Sequence, residues 1–356
     1  MTDRRTAILG TLTAAIAAAT GTSVEAKKKK KKCKPACAAY ASCKAGKCKP
    51  LPIPSSYVQD VAGAVVDSTD INYGPLLARG TTLYVGNKGT SPSSRHSVLV
   101  FSANESTGAL TFVRQFGTYG TENDQVNDTT DMTFAGDFLL VVDSAASKVK
   151  VWRVDPTTGV FTANQQLGST FGTGTDQFTN PEGIAYSATH GKVYVIQSYS
   201  IKWFDFDTTT GVATYSGELL LPAEAYPYPR DAVLLGDALY CVDRTLGLLK
   251  ITINSDGTVS ANPQVVTAAT GDPAIPGPTA LGYKNGRFYI SNEISGFITQ
   301  IFNLETDGTI SYVDTMNQSA TEPYQAMVPR STEFIGQWAY VSVGSGDQKI
   351  ALFEAP

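Results

Sequence analysis

Short apolar runs rich in β-branched and aromatic residues recur six times along the chain: LYVGN (83–87), LLVVDS (139–144), VYVIQS (193–198), LYCVDR (239–244), FYISNE (288–293) and AYVSVG (339–344). Runs of this length and composition, bounded by turn residues, predict β-strands. Their second residues fall at 84, 140, 194, 240, 289 and 340, at intervals of 56, 54, 46, 49 and 51 residues. A turn precedes each run, and another apolar strand, such as GIAYS (183–187) or DAVLL (231–235), precedes the turn. A third strand follows each run. In all but the last unit a polar turn and a fourth strand come after it.

The turn between third and fourth strands is the clearest copy: NESTGALT (104–111), DPTTGVFT (155–162), DTTTGVAT (207–214), NSDGTVS (254–260) and ETDGTIS (305–311). An opening Asn or Asp bonds its own backbone, and Gly supplies the positive φ that closes the hairpin. No twelve-residue calcium loop follows from these acidic letters. Four strands at a period near fifty, six times over, predict an all-β fold: a six-bladed β-propeller of four-stranded antiparallel blades. The sixth unit stops after its third strand, KIALFEA (349–355), while SYVQDVAGAVV (56–66) stands unassigned upstream. That N-terminal strand is expected to complete the sixth blade and close the ring, hiding open sheet edge.

Ahead of the repeats the composition changes. Residues 1–26 carry Arg4 and Arg5, an alanine-rich apolar stretch and small residues at Val24 and Ala26, the pattern of a secretory signal peptide. Residues 27–50 hold ten lysines, no acid and four cysteines, Cys33, Cys37, Cys43 and Cys48. In an exported chain these predict a small disulfide segment with three possible pairings, a four-thiolate zinc site being the competing reading. Residues 51–356 form the propeller, with sixteen basic against thirty acidic residues, so a basic arm precedes an acidic body. The arm suits an anionic surface polymer of a bacterial cell envelope, or the acidic body itself. The body shows no basic patch with interleaved aromatics, which argues against nucleic acid. Cys241 lies within a strand as a buried thiol, and His96 and His190 sit in unrelated loops away from any nucleophile elbow.

Two successive units, 116–152 and 171–204, resemble NHL repeats in their FG-x-x-G lead-in, a Gln near a Phe, P-x-G-I-A and V-Y-V. The DPTTGVFT turns resemble propeller lactonases of the phosphogluconolactonase type, which usually have seven blades. The six-bladed count resembles the regucalcin, gluconolactonase and paraoxonase-like group. In such folds the residues just before each innermost strand ring the tunnel mouth. Aligning the units on their second strands places Asp131, Glu182, Arg230 with Asp231, Thr279 and Arg330 in or beside that ring, with Asp243 reaching the same face. The resemblance to gluconolactonase-like calcium enzymes implies Glu182, Asp131, Asp231 and Asp243 as Ca²⁺ ligands, although the pair of asparagines those enzymes use is absent and two arginines share the mouth. The residues themselves favour a non-catalytic monomer that binds a protein, peptide or carbohydrate at its mouth without a cofactor. The alternative is a calcium-dependent lactonase-like or esterase-like hydrolase.

Overall fold

The computed structural model describes residues 41–44, 47–50, 56–60, 73–88, 96–221, 228–292, 298–316, 329–343 and 349–354. Six four-stranded antiparallel sheets are arranged as blades, each strand pairing with the next in sequence. The innermost strands are Tyr73–Arg79, Thr129–Ala135, Pro181–Ser187, Pro229–Leu235, Pro278–Lys284 and Pro329–Ile335. The sixth blade takes its outer strand from the N-terminal side: Ser56–Asp60 pairs with Lys349–Glu354, with Leu352 opposite Gln59 and Phe353 opposite Tyr57. The expected closure of the ring is therefore met. No described helix is long and apolar enough to cross a membrane.

Burial explains why the second strands read as continuous apolar runs. Phe138–Asp143 and Trp338–Val343 are buried at every position, because neighbouring blades cover both of their faces. The outermost strand Leu110–Phe116 alternates between buried or half-buried and exposed positions, as expected at a solvated rim. Among the described residues six apolar clusters form, each joining two adjacent blades. Leu83, Val85 and Phe101 of the first blade, for instance, pack with Trp338, Tyr340 and Leu352 of the sixth.

The repeated hairpin turns also lock blade to blade. Asn104 Oδ1 accepts from the Ser106 and Thr107 amides, and Asp155 Oδ1 from those of Thr157 and Thr158, as the turn sequence predicts. The first blade's turn lies over the sixth blade, where Trp338 Nε1 donates to Glu105 O at 2.8 Å and Tyr340 Oη to Gly108 O at 2.9 Å. Gly108 has a φ of 70°, and a Cβ there would stand 2.6 Å from Leu352 Cδ2. Glycine is required both by the turn and by the close approach.

The lead-in loops of the second and third blades fold alike for an identifiable reason. Lys150 and Lys202, fully buried on the third strands of blades two and three, each reach under the lead-in loop. Lys150 Nζ donates to Thr121 O at 2.6 Å and Glu122 O at 2.5 Å, and Lys202 Nζ to Gly174 O and Gln177 O. Gln125 and Gln177 each accept an amide of the same loop. A buried ammonium with several carbonyl acceptors keeps its donors satisfied, so lysine and glutamine together staple each loop.

Before the propeller, Ala41–Lys44 and Lys47–Pro50 form a hairpin whose backbone register sets Cys43 opposite Cys48. Cys33, Cys37 and residues 1–40 generally, including the expected signal peptide, lie outside the described residues. Cys241 is fully buried and free, as its strand position predicts.

Candidate functional site

Every innermost strand carries one extra residue at the same point of its pairing with the second strand. The register shifts lie between Thr129 and Asp131, Pro181 and Gly183, Pro229 and Asp231, Pro278 and Ala280, Pro329 and Ser331, and Tyr73 and Leu76. In four blades a proline comes immediately before the extra residue; lacking an N–H, it can leave a ladder bond unmade where the bulge begins. A bulge re-aims the side chain it inserts. Thr130, Glu182, Arg230, Thr279 and Arg330 therefore share one tier around the tunnel axis, with Gly74 as the first blade's member. They line a mouth cavity of about 160 Å³ together with Lys88 and Asp128.

Glu182 sits at the centre of this chemistry. It is 6 % exposed and forms an ion pair with Arg230, Nη1 to Oε2 at 2.9 Å, while Tyr228 Oη donates to its Oε1 at 3.3 Å. The Arg230 guanidinium lies 4.4 Å from the Tyr228 ring centroid, so the tyrosine supports both partners. Burial raises the Glu182 carboxyl above the ordinary range, and Arg230 opposes that rise. Arg230 Nε is buried without a hydrogen-bond partner. Across the mouth, Lys88 Nζ meets Asp128 Oδ2 at 2.5 Å. Three basic and two acidic side chains thus line the cavity, a formal excess of one positive charge. The threonine hydroxyls of Thr130 and Thr279 add neutral donors and acceptors.

The structure keeps Glu182, Arg230, Thr279 and Arg330 together and moves three other expected residues elsewhere. Asp131 and Asp231 follow the bulge rather than occupy it, so they line the tunnel one tier deeper, in a second cavity of about 250 Å³. Asp131 accepts from its own Met132 amide and from the Ile184 amide of blade three, both at 2.7 Å. Asp231 accepts from Ala232 at 2.7 Å and from Leu281 of blade five at 2.8 Å. Asp243 does not reach the mouth. Fully buried, it holds the turn after its strand through Oδ1, which accepts from Thr245 and Leu246 at 2.8 Å each.

The calcium reading fails a fit test on these contacts. Calcium needs six to eight oxygens converging on one point. Here Glu182 is neutralised by Arg230, Asp131 and Asp231 spend oxygens on amides of neighbouring blades, and Asp243 is committed to a turn. Among the described residues no three His, Cys, Asp or Glu side chains are grouped to hold a metal ion. The bulge sets Glu182 apart from Asp131 and Asp231, and Asp243 belongs to the turn after its strand.

Sequence reasoning also missed Asp128 and Thr130 at the mouth and Glu333 in the deeper tier. Counting ten residues back from positions 140, 240, 289 and 340 of the second strands sets Thr130 level with Arg230, Thr279 and Arg330, and Glu182 stands twelve back from 194 because its turn is two residues longer. Glu333 was visible as the one acid inside the strand PRSTEFI (329–335).

Residues 67–171 match the family model of a lactonase with a seven-bladed β-propeller. The chain carries a lactonase-like stretch inside a six-bladed propeller. The stretch covers the first and second blades. It brings Lys88, Asp128 and Thr130 to the mouth, but none of Glu182, Arg230 or Arg330. No curated protein matches the chain. Among solved structures, a putative 6-phosphogluconolactonase from Bacteroides uniformis superposes with a TM-score of 0.54 at 17% identity, covering 83% of this chain and 81% of that one. The periplasmic gluconolactonase of Pseudomonas aeruginosa gives 0.56 at 13%, covering 83% and 91%. A catalytically inactive virginiamycin B lyase from Staphylococcus aureus, bound to quinupristin, gives 0.55 at 13%, covering 83% and 98%. At such identities the likeness speaks for the fold.

Proposed function

We propose that this protein is an exported binding module whose tunnel mouth takes an anionic group, a carboxylate or phosphate, carried by a carbohydrate or peptide. The observation behind this reading is the bulge tier, which turns Arg230 and Arg330 toward one cavity beside Lys88. Arg230 Nε, buried and unpaired there, is a donor in need of an acceptor. Guanidinium groups suit carboxylate and phosphate because their donors match those oxygens in pairs. Calorimetric titration of gluconate and of inorganic phosphate into the protein should show saturable binding, weakened about tenfold in Arg330→Gln, the loss expected for one charge-assisted contact. Heats that are not saturable, or that Arg330→Gln leaves unchanged, would remove the reading.

The lactonase-like stretch favours a second reading, hydrolysis of a lactone or ester. In that case Glu182 is the candidate base, its carboxyl already raised by burial. Opening of gluconolactone faster than its spontaneous rate, and abolished by Glu182→Gln, would favour the enzyme over the binding module. The lysine-rich arm extends the proposal to an anionic envelope polymer. A chain beginning at residue 51 should then lose retention on an anionic polymer column in low salt; equal retention of both forms would exclude the arm from this role.

A further inference from the structure

Ala41–Lys44 and Lys47–Pro50 pair as an antiparallel ladder, with Ala45 and Gly46 between them in sequence. Ala41 stands opposite Pro50, Ser42 opposite Lys49, Cys43 opposite Cys48 and Lys44 opposite Lys47. Successive residues of a strand belong to opposite faces, so this register sorts the hairpin into two. Ala41, Cys43, Cys48 and Pro50 share one face; Ser42, Lys44, Lys47 and Lys49 share the other. Among the described residues the two strands form a sheet of their own, with no third strand beside them. An isolated two-stranded hairpin is marginally stable at best in water. This one carries no bulky apolar residue in either strand, and it sets Lys44 directly opposite Lys47, a like-charge pair that works against the ladder.

The hairpin therefore needs a tie that neither apolar burial nor charge supplies. Directly opposed residues of an antiparallel ladder stand about 4.5–5.5 Å apart at Cα. A disulfide spans about 4.4–6.8 Å between Cα atoms, so opposed cysteines on one face meet its requirement without backbone movement. Spacing along the chain leaves three pairings open for the four cysteines. From the juxtaposition of Cys43 and Cys48 in this register, we infer that these two form a cross-strand disulfide, which leaves Cys33 to pair with Cys37. The four cysteines then make two consecutive local bridges, neither an interlaced pair nor a four-thiolate zinc site. Each bridge forms as two thiols give up two protons and two electrons to a disulfide oxidant, which is itself reduced to two thiols. The closed bond also keeps Lys44, Lys47 and Lys49 together on the face opposite the cysteines, a short basic strip ahead of the acidic propeller. The inference rests on the register and not on the reading of the mouth or of the arm's partner.

The test is disulfide mapping of the full chain, reduced and then reoxidised with oxidised glutathione. Remaining thiols, that of Cys241 included, are capped with iodoacetamide in denaturant before digestion. Trypsin and chymotrypsin together cut after Lys32, Tyr40, Lys44, Lys47 and Tyr57, while Lys34 and Lys49 are each followed by proline and resist cleavage. The cysteines are thereby parted among residues 33–40, 41–44 and 48–57, which mass spectrometry identifies without reduction. In nearly all chains 41–44 is expected linked to 48–57, with 33–40 released as an internally bridged peptide. Three pairings formed without preference would give that link in only about one third of chains. Recovery near or below that share, 33–40 linked to either other peptide as the main product, or all four cysteines capped would overturn the inference. The double variant Cys33→Ser with Cys37→Ser should keep the link between 41–44 and 48–57, and its loss there would overturn the pairing as well. Zinc chloride added to the reduced chain before reoxidation should leave the map unchanged; four thiols protected from glutathione by one bound zinc would show the thiolate site instead.

Discussion

Glu333→Gln raises the thermal midpoint at about pH 8 and flattens the dependence of stability on pH. Glu333 lies within the tunnel, partly open to the channel but enclosed by protein, and burial pushes its carboxyl from 4.5 up to about 8. The Asp231 charge adds to that rise. Because the folded pKa lies above the unfolded one, the folded protein holds a proton that the unfolded chain has released. Stability from this group is therefore fully present below about 4.5 and is lost as the pH climbs to about 8. Asp231, raised to about 6 chiefly by burial, acts in the same direction over the lower part of that window. Asp155, Asp207, Asp256 and Asp307 have the opposite sign, since turn hydrogen bonds hold them below the ordinary value. Their contribution is lost only in stronger acid, so they add no slope between about pH 5 and 8.

Glutamine keeps the shape of the glutamic side chain and carries no charge. At one pKa unit per 1.36 kcal/mol, and with part of the effect relieved by water in the channel, about 2–4 kcal/mol is regained at pH 8. In a domain of this size that is a rise of about 5 °C or more. Thermal melts of both proteins at about pH 5 and 8 measure it. A midpoint equal to or below that of the unsubstituted protein at the higher pH would show that Glu333 is not held in a proton-retaining environment.

The second large effect is expected from Arg230→Met. Arg230 and Glu182 come from adjacent blades, with 21 % and 8 % of their side chains exposed. Removing the guanidinium leaves a carboxyl that burial already raises, now without the group that opposes the rise. Breaking such a pair from one side costs about 3–5 kcal/mol, because one charge stays buried alone. Glu182→Gln alone should cost less, as Arg230 is the more exposed partner and lines the mouth. Combining Arg230→Met with Glu182→Gln should recover part of the loss, and a double-mutant cycle by denaturant unfolding gives the coupling. Additive single-variant effects would mean that the ion pair does not tie blades three and four together. Calcium should leave the midpoints unchanged, in keeping with the failed fit of the four expected ligands.

The six-bladed count also bears on the lactonase-like match. The matching model describes a seven-bladed propeller, whereas this chain closes at six with an N-terminal strand in the sixth blade. Number of blades sets the width of the tunnel, so residues equivalent along one blade need not meet the same partners across the axis. That is a reason to argue activity from Arg230, Glu182 and Arg330 rather than from the matched stretch.

The sequence by itself determined the blades. Period, turn chemistry and strand composition are local properties, and each repeat states them again: the aspartate-to-glycine hairpins, the buried second strands, the missing sixth outer strand and the N-terminal segment that replaces it. It also brought Glu182, Arg230, Thr279 and Arg330 to one mouth, because a repeat maps like positions onto a ring. Tertiary structure alone decided the depth of each acid. A bulge of one residue separates Glu182 from the level of Asp131 and Asp231, and a shift of one residue in a strand reverses the facing of a side chain. Likewise, the meeting of Asp131, Asp231, Ser331 and Glu333 around one cavity depends on how three alternate blades face a common axis. No spacing along the chain encodes that, since the residues belong to strands about a hundred positions apart and are brought together only when the ring closes.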